Sequence, residues 1–366
     1  MARMKILGIE SSCDETSAAV VEDGTRLLSN VVQSQIDIHS EYGGVIPEIA
    51  ARSHIEAINP VIRKALTDAA CSWDDIEAIA VTYAPGLVGS LLVGTLAART
   101  YAATQDKPLY AIHHVEGHVY ANFITEGQHT DLVLPSKIPK FPILALIVSG
   151  GHSQLVLFHD HGRYELLGQT QDDAVGEAFD KVAKILGFPY PGGVSIDRAA
   201  PEGDPNRYAL PKARLEGPYD FSFSGLKTAV LRAAQREVGK DFRFPSHELS
   251  GLLTTKQKHD FAASFQKVAL ETLVDKTERA FQYYSPASVV IAGGVAASRK
   301  LREMLSDRLP IDIEYAPMSL CTDNGAMIAS LGYYYAQHCP PTDPYTLEVV
   351  PSLSMTKTAW REQHAA

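Results

Sequence analysis

Two stretches of the chain share one pattern, in which a short apolar run meets a polar turn and a second apolar run returns. Lys5–Glu10 is followed by a polar turn at residues 11–16 and by a returning run at residues 17–21. Residues 141–149 are followed by a glycine-rich turn and by a returning run at residues 154–158. Runs of this length and composition predict buried strands, so each stretch is predicted to form a hairpin.

Each predicted hairpin is followed later in the chain by a single apolar strand that leads into a helix. Residues 76–81 run through a Pro-Gly loop into a predicted helix, and residues 288–291 run through Gly293-Gly294 into another. A further helix is predicted from Pro47, a residue suited to the first turn, to about Leu66. The halves therefore form a weak internal repeat of an α/β unit with turns facing a common cleft, although chance similarity is the alternative.

A polar segment separates the two halves. Residues 126–140 contain two prolines and no clear period, so they are predicted to be a linker or surface loop. A chain of 366 residues is too long for one compact core. The predicted lobes are residues 1–125 and 141–366, with the chain from about residue 323 expected to pack back on the first lobe.

The composition of the chain limits the binding partners and the cellular compartment that can be expected for it. The chain has 45% hydrophobic and 21% charged residues, which is ordinary for a folded domain, and a net charge of −10. Any contact with nucleic acid must therefore use a local basic patch or a partner protein. No apolar run is long enough for a membrane span, and the N-terminal one is too short for a signal peptide. The four scattered cysteines form no CxxC pair, which fits a reducing cytoplasm.

The sharpest local signal is the pair His114 and His118. They are four residues apart, so a helix places both imidazoles on one face, a spacing typical of metal ligands. A zincin protease needs glutamate directly after the first histidine, whereas Glu116 follows two places later, turned about 200° around the helix. The spacing favours a metal site without zincin proteolysis. A histidine-rich helix end with satisfied hydrogen bonds is the alternative.

Two imidazoles are too few for a stable metal site, so a third ligand must come from elsewhere in the chain. Asp323 is the best candidate, because it precedes a predicted helix of small apolar residues. The alternative is that Asp323 merely caps this helix, and the sequence alone favours that alternative.

Three glycine pairs follow apolar strands or loops. They are Gly150-Gly151, Gly192-Gly193 and Gly293-Gly294. None fits the Walker A or GxGxxG pattern, and each alone is ordinarily a turn. Glycine lets backbone amides approach an anion closely, so three such pairs in one chain indicate a nucleotide cleft.

Two further segments have a functional and a plainer interpretation. Asp173, Glu177 and Asp180 are predicted to share a helical face, either as a charged surface or as carboxylates that accept ribose hydroxyls. Residues 221–228 mix aromatic side chains, hydroxyls and a lysine. They would border a nucleotide or RNA groove, but core packing of the two phenylalanines is the favoured interpretation.

Nine strings in one order carry a family resemblance. They are residues 8–16 (GIESSCDET), 42–48 (YGGVIPE), 85–91 (PGLVGSL), 114–118 (HVEGH), 148–152 (VSGGH), 176–181 (GEAFDK), 190–193 (YPGG), 221–228 (FSFSGLKT) and 321–326 (CTDNGA). From about Met4 to about Gly332 the chain resembles the TsaD family of tRNA adenosine threonylcarbamoyltransferases, once labelled sialoglycoprotein endopeptidases.

The resemblance implies an α/β actin-like ATPase (ASKHA) fold, with a nucleotide and metal cleft between two RNase H-like lobes. It implies threonylcarbamoyl-adenylate as the donor. The implied acceptor is the adenosine 3′ to the anticodon in tRNAs that read codons beginning with A. It also implies bacterial helper proteins, namely a paralogous dimer partner and a small ATPase.

The resemblance also implies roles for individual residues. His114, His118 and Asp323 would bind one divalent metal ion per subunit, and this ligand set suits iron or zinc better than magnesium. The residues implied to hold the adenylate or its threonylcarbamoyl group are Ile147, Val148, Ser149, Gly150, Gly151, Asp180, Gly193 and Asp197. Asp14 and Glu15 would lie near the reacting group, where either is a candidate proton acceptor or orienter.

Two positions depart from the family pattern. Ser298 stands where the family usually has asparagine, so a nucleotide contact there is lost or bridged by water. Val194 stands where proline is usual, which removes a backbone restraint. Neither departure touches the implied metal ligands.

Three rival functions remain on sequence grounds. A metalloprotease is disfavoured by the position of Glu116. A non-catalytic nucleotide-binding scaffold is disfavoured by the intact His114, His118 and Asp323. A sugar kinase of the same fold lacks any evident sugar-binding constellation, although fold alone does not exclude it.

Overall fold

The computed structural model describes residues 3–127 and 132–357. The strands are β1 Lys5–Glu10, β2 Glu15–Glu22, β3 Arg26–Ser34, β4 Ala78–Ala84, β5 Leu109–His113, β6 Glu126–Gly127, β7 Ile143–Val148, β8 Ser153–Asp160, β9 Arg163–Gln169, β10 Ser288–Ala292 and β11 Ile313–Tyr315. The helices are α1 Ile36–Ser40, α2 Pro47–Asp68, α3 Val88–Thr104, α4 His114–Tyr120, α5 Val175–Leu186, α6 Gly192–Ala199, α7 Ser224–Glu237, α8 Ser246–Leu249, α9 Thr255–Tyr284, α10 Arg299–Arg308, α11 Met318–Cys321 and α12 Gly325–His338.

The same sheet topology occurs twice in the described chain. One sheet has the order β5-β4-β1-β2-β3-β6, and the other has the order β11-β10-β7-β8-β9. In both, an antiparallel three-strand meander is extended by two strands parallel to its first member. Both predicted hairpins and the internal repeat are therefore confirmed.

The segment between the sheets departs from the linker prediction at its start. Glu126–Gly127 is strand β6 and pairs with Arg26 and Leu27 at the edge of the first sheet. Residues 128–131 of the predicted linker lie outside the described residues, as do residues 1–2 and 358–366 of the predicted lobes.

Helix α12 covers the first sheet although it follows the second sheet in sequence. Its glycines allow this close approach, since an added Cβ at Gly325 or Gly332 would overlap atoms of β2 or β4. The chain after α12 continues along the same lobe, where Val350 N donates to Tyr83 O. It then reaches the second sheet, where the Tyr164 hydroxyl donates to Met355 O at 2.8 Å. The described helices include none that is long and apolar enough to cross a membrane.

Replacing Gly8 by alanine is expected to destabilise the protein by about 1–3 kcal/mol, the usual cost of overpacking a core. The new Cβ would overlap the carbonyl oxygen of Gly325 and lie 2.5 Å from the amide nitrogen of Ala329. Both are backbone atoms of α12, which cannot move away cheaply. Thermal denaturation measures the effect. Gly225→Ala is the matched control, since nothing lies within 4 Å of its added Cβ, and an equal melting temperature for both variants would contradict the packing argument.

Candidate active site

The site is assembled where parallel strands of the first sheet end. Strands β1, β4 and β5 are parallel neighbours, so their carboxyl ends lie at one edge. Glu10 ends β1, and α4 begins with His114 directly after β5. Ligand sites in open α/β sheets form at this edge. Asp323, in the loop before α12, reaches the same place from the far end of the chain.

His114, His118 and Asp323 form a compact cluster in which the two histidines are buried and Asp323 is half-buried. The Nε2 atoms of His114 and His118 lie 3.5 and 3.3 Å from Oδ1 of Asp323. One ligand atom from each residue lies within 4.8 Å of the others. In a tetrahedral site with metal–ligand bonds of roughly 2.0–2.1 Å, ligand atoms are about 3.3 Å apart. The three residues therefore have the donor set and the spacing to hold one metal ion.

The ring of His118 supports this fit. The side chain is 1% exposed, and neither ring nitrogen has a hydrogen-bond partner among the described residues. The 3.3 Å approach of Nε2 to Asp323 lacks hydrogen-bond geometry. A buried polar atom without a partner is costly, and a bound cation would satisfy it.

Asp323 is free to act as a ligand because its neighbour caps the helix. The side-chain Oδ1 of Asn324 accepts a hydrogen bond from Met327 N at 3.1 Å, which makes Asn324 the N-cap of α12. The alternative favoured by the sequence, that Asp323 caps this helix, is therefore wrong. Asp323 instead faces the two histidines.

Glu10 orients His114, a role that the sequence interpretation missed. Nδ1 of His114 donates to Oε2 of Glu10 at 3.0 Å, which directs Nε2 toward Asp323. Oε2 also accepts from the Thr82 hydroxyl at 2.5 Å, and Oε1 accepts from Ser12 N at 2.6 Å. Such carboxylate–histidine contacts fix the tautomer of a metal-binding imidazole.

The electrostatics of the cluster suit a cation. Burial favours the neutral imidazole of His114, but the charges of Asp323 and Glu10 outweigh burial and raise its pKa to about 9. Burial would also raise the pKa of Asp323, but His114 and His118 hold it well below its usual range. The buried Glu10 and the half-buried Asp323 thus keep negative charge beside the imidazoles.

The carboxyl group of Glu116 contacts tyrosine hydroxyls and not the His114, His118 and Asp323 cluster. Its Oε2 accepts from the Tyr335 hydroxyl at 3.3 Å and lies 3.4 Å from the hydroxyl oxygen of Tyr164, whose hydrogen is donated to Met355 O. Burial raises its pKa to about 8, against the opposing effect of these hydroxyls. This carboxyl joins β9, α4 and α12, in agreement with the prediction that it does not serve a metal-bound water.

Asp14, Glu15 and His152 lie in the same cleft. Burial and the charges of Asp323 and Asp14 raise the pKa of Glu15 well above its usual value. Burial and the neighbouring His114 and His118 lower the pKa of His152 to about 3. Since His152 ends the Gly150-Gly151 turn, this glycine turn of the second lobe lies beside the histidines of the first. No role for His152 was predicted from sequence.

The turn after β7 lies against two other glycine-containing elements. Ile147 and Val148 end the strand, Ser149 N donates to His152 O at 2.8 Å, and Gly150 and Gly151 have no atoms within 4 Å of an added Cβ. Gly176 of α5 approaches Ser149 O, and Gly293, with φ of +89°, approaches Val148 O. These contacts bring two of the glycine pairs and the start of α5 together, with open space above the turn.

Asp180 and Gly193 are neighbours in the second lobe. Oδ1 of Asp180 accepts from Gly192 N at 2.7 Å. Burial, with the charges of Asp14 and Glu177, raises the pKa of Asp180 to about 6, while the amides of Gly192 and Gly193 oppose this shift.

Asp197 and Ser298 also meet. The Ser298 hydroxyl donates to Oδ1 of Asp197 at 3.4 Å, and the side-chain amide of Gln266 donates to the same oxygen. Ser298 is also the N-cap of α10 and accepts from Leu301 N. The shorter serine thus keeps a capping role that asparagine also performs well.

Two predictions about neighbouring segments have different outcomes. Asp173 does not share a helical face with Glu177 and Asp180, because α5 begins at Val175 and Asp173 precedes it. Its carboxylate instead pairs with Lys181 and Lys227 at 2.8 Å each. The favoured interpretation of residues 221–228 is confirmed, since the two phenylalanines are fully buried.

Comparison with known proteins identifies sequence relatives of the chain that has this site. The family model of TsaD, tRNA N6-adenosine threonylcarbamoyltransferase, matches residues 26–330. A protein of that name from Dehalococcoides mccartyi is 50% identical over 353 residues, covering 96% of this chain and 100% of its own. Another of that name from Symbiobacterium thermophilum is 51% identical over 332 residues, covering 90% of this chain and 91% of its own.

Among solved structures, full-length HypF in its phosphate- and nucleotide-bound form is similar over 91% of this chain and 47% of that chain. Its TM-score is 0.56 and its sequence identity is 12%. This likeness concerns the fold alone and agrees with the actin-like architecture. Since the family model covers most of the sequence, and the relatives match nearly its whole length, the chain belongs to the TsaD family of tRNA N6-adenosine threonylcarbamoyltransferases.

Proposed function

We propose that this chain transfers the threonylcarbamoyl group of threonylcarbamoyl-adenylate to the exocyclic amine of the adenosine 3′ to the anticodon, in tRNAs that read codons beginning with A. Family membership supplies the reaction. One observation connects it to the site. Helix α4, which carries His114 and His118, packs against β7, the strand that leads into the glycine turn of the second lobe. The proposed metal ligands and the proposed nucleotide turn therefore share one cleft.

We assign the donor contacts to the second lobe. The turn at Ser149, Gly150 and Gly151, with the nearby turn at Gly293, offers backbone amides to the phosphate. Asp180 and Asp197 offer carboxylate oxygens to hydroxyl groups of the donor. Ile147, Val148, Gly193 and Ser298 shape the walls around these contacts.

The transfer itself is an acyl substitution. The amine nitrogen forms a bond to the carbamoyl carbon, the bond from that carbon to the phosphate oxygen breaks, and adenylate leaves. The amine proton passes to a carboxylate, which we assign to Asp14 or Glu15, because Asp14 is buried, Glu15 is half-buried, and the charges of Asp323 and Asp14 both act on Glu15. An iron or zinc ion held by His114, His118 and Asp323 would supply Lewis-acid polarisation of the donor's oxygens.

The proposal is tested by a transfer assay. The purified chain and its helper proteins are incubated with threonylcarbamoyl-adenylate and unmodified tRNA, and nucleosides are analysed by mass spectrometry. We expect one threonylcarbamoyl group on the adenosine next to the anticodon, and none when that position carries a base without the exocyclic amine. Helpers that support another transferase but give no product with this chain would refute the function. Peptide cleavage by the protease-free protein would favour the protease rival instead.

We further propose a paralogous dimer partner that docks on the first lobe, and a small ATPase as a second helper. On α3, Val88, Leu92 and Leu96 follow one another at intervals of four residues and are 55%, 52% and 63% exposed. Ile55 on the adjacent α2 is 63% exposed. A partner of the same fold would offer an equivalent helix pair to this apolar stripe. We place the assembly in the cytoplasm, in keeping with four unpaired cysteines.

Replacing Leu92 and Leu96 together by glutamate is expected to weaken the partner complex by more than about 100-fold, because charges would be buried in an apolar interface. Sedimentation with the partner measures this loss, and the melting temperature of the isolated chain should not fall. Leu252→Glu is the control, since this leucine is 47% exposed on the other lobe. Undiminished assembly of the double variant would place the partner elsewhere.

The KM for the donor is expected to rise about 10-fold or more as pH falls through about 6, where Asp180 gains a proton. Protonation removes the negative charge that accepts hydroxyl groups, so affinity is full above this pH and lost below it. Asp180→Asn should show the high KM at every pH. Initial rates between about pH 5 and 8 test this. Glu165→Gln removes an exposed carboxylate and is the control, so it should keep the wild-type dependence of KM on pH. If Asp180→Asn also kept the wild-type dependence, Asp180 would not contact the donor.

A further inference from the structure

We infer that an exposed basic–aromatic patch at the end of α7 binds the tRNA substrate outside the cleft. The inference rests on the proposed function, since it assigns the surface that receives that substrate. The patch consists of Phe242 with Arg232 and Arg243 beside its ring, Lys240 over the ring of Phe244, and Arg236 one helical turn after Arg232 on α7. A chain of net charge −10 needs such a local surface to hold RNA.

The cations of the patch are free to bind phosphate. Among the described residues, none of the four forms an ion pair with a carboxylate. Arg232 donates only to neutral oxygens, those of Gln235 and Phe242. By contrast, other lysines of the same lobe are paired, such as Lys212 with Glu271 and Asp275.

The ring of Phe242 is held in an exposed position by the surrounding structure. It is 63% exposed, whereas Phe244 packs against the core two residues later. The buried side chain of Gln235 donates to the carbonyl oxygens of both residues, and Arg232 donates to that of Phe242 at 2.7 Å. The backbone of the loop is thus fixed with the Phe242 ring exposed, at a cost that a partner's contact would offset.

Arginines flank this exposed ring. The guanidinium carbons of Arg232 and Arg243 lie 5.6 and 5.4 Å from its centre. An aromatic ring next to guanidinium groups is the chemistry by which proteins stack an unpaired base and bind its phosphates. An acidic protein partner would bind the cations of the patch but would not require the exposed aromatic ring. A single-stranded RNA loop therefore matches the chemistry of the patch better.

The patch lies at a suitable distance from the cleft. The first turn of α7 contacts the segment before α5, since Ser224 N donates to Asp172 and Asp173 N donates to Ser224. Helix α5 in turn contacts the Ser149 turn through Gly176. The 14 residues of α7 span about 20 Å, so the patch at its far end lies about that distance along the helix from the segment before α5. A tRNA with its adenosine in the cleft could reach both places.

Binding of fluorescent unmodified tRNA to the assembled enzyme, over a series of salt concentrations, tests the inference. We expect Phe242→Ala to weaken binding about 5- to 100-fold and Phe242→Trp to retain it. Arg236→Ala with Arg243→Ala should lower the slope of log K against log salt by about 2. Turnover at saturating tRNA and the KM for the donor should stay at wild-type values in all three. Tyr283→Ala and Lys64→Ala, exposed residues outside the patch, are the controls and should bind as wild type.

The outcomes separate the patch from the transfer reaction. Patch variants that bind tRNA like wild type, while wild type transfers normally, would overturn the inference and leave the function intact. Weaker binding in a protein that transfers nothing would uphold the patch and refute the function. Loss of a helper protein from the complex, with unchanged tRNA affinity of the remainder, would make the patch a protein-docking surface and overturn the inference.

Discussion

His118→Ala is expected to lose its metal ion, to transfer more than 100-fold more slowly, and to lose less stability in the metal-free protein than in the metal-loaded protein. Changing a group that only hydrogen-bonds a metal ligand already costs about 10- to 100-fold, so removing a ligand should cost more. The metal-free fold should tolerate the change, because both buried ring nitrogens lack hydrogen-bond partners among the described residues. Metal content after loading with iron or zinc, turnover, and the metal-free melting temperature are the three readouts.

The combination of readouts separates a ligand from a structural residue. Addition of metal should raise the melting temperature of the wild type but not that of His118→Ala if His118 is a ligand, whereas loss of a structural histidine would lower both forms by a similar amount. His159→Ala is the matched control, since this histidine is 37% exposed on β8. Full metal content and turnover in His118→Ala would exclude the cluster as the metal site.

The sequence predicts the parts of this site that depend on local spacing. The interval between His114 and His118 becomes a shared helical face as soon as a helix forms, and the helix is present. The two hairpins could also be predicted from the sequence, because buried strands bounded by polar turns are a local pattern. The repeat followed from these same short patterns.

Contacts that depend on the topology of the fold could not be predicted from the sequence. Asp323 reaches the histidines only because α12 returns to the first sheet, and its competing role as a cap could be rejected only once Asn324 was seen to cap. His152 lies beside the cluster because α4 of the first lobe packs against β7 of the second sheet. Asp173 was placed on a helix because the start of α5 carries no clear capping residue.

Glu10 shows the same limit most clearly. In sequence it is the polar end of an apolar strand, more than a hundred residues before His114. It meets His114 and Thr82 because β1 lies beside β4, and β4 beside β5. The hydrophobic periodicity within a single segment does not predict the contact between Glu10 and His114. The order of the strands in the sheet brings these two residues together.

Glu10→Gln is therefore expected to lower metal affinity about 10- to 100-fold, the usual effect of altering a partner of a metal ligand. Both oxygens of Glu10 accept hydrogen bonds, from His114 and Thr82 at one and from Ser12 N at the other. Glutamine has only one oxygen. If its amino group faces His114, Nδ1 must accept and the ring proton moves to Nε2, where it blocks ligation. If it faces Ser12, two donors are opposed in a fully buried site.

Metal titration followed by transfer assays distinguishes positioning from chemistry. A positioning role predicts that Glu10→Gln recovers most of its turnover at high metal concentration, with KM values for donor and tRNA close to wild type. Glu165→Gln, an exposed carboxylate 54% accessible on β9, should leave metal affinity unchanged. Wild-type metal affinity in Glu10→Gln would show that His114 keeps its orientation without this carboxylate. Turnover that stays low at saturating metal would instead place Glu10 among the groups that act on the substrate.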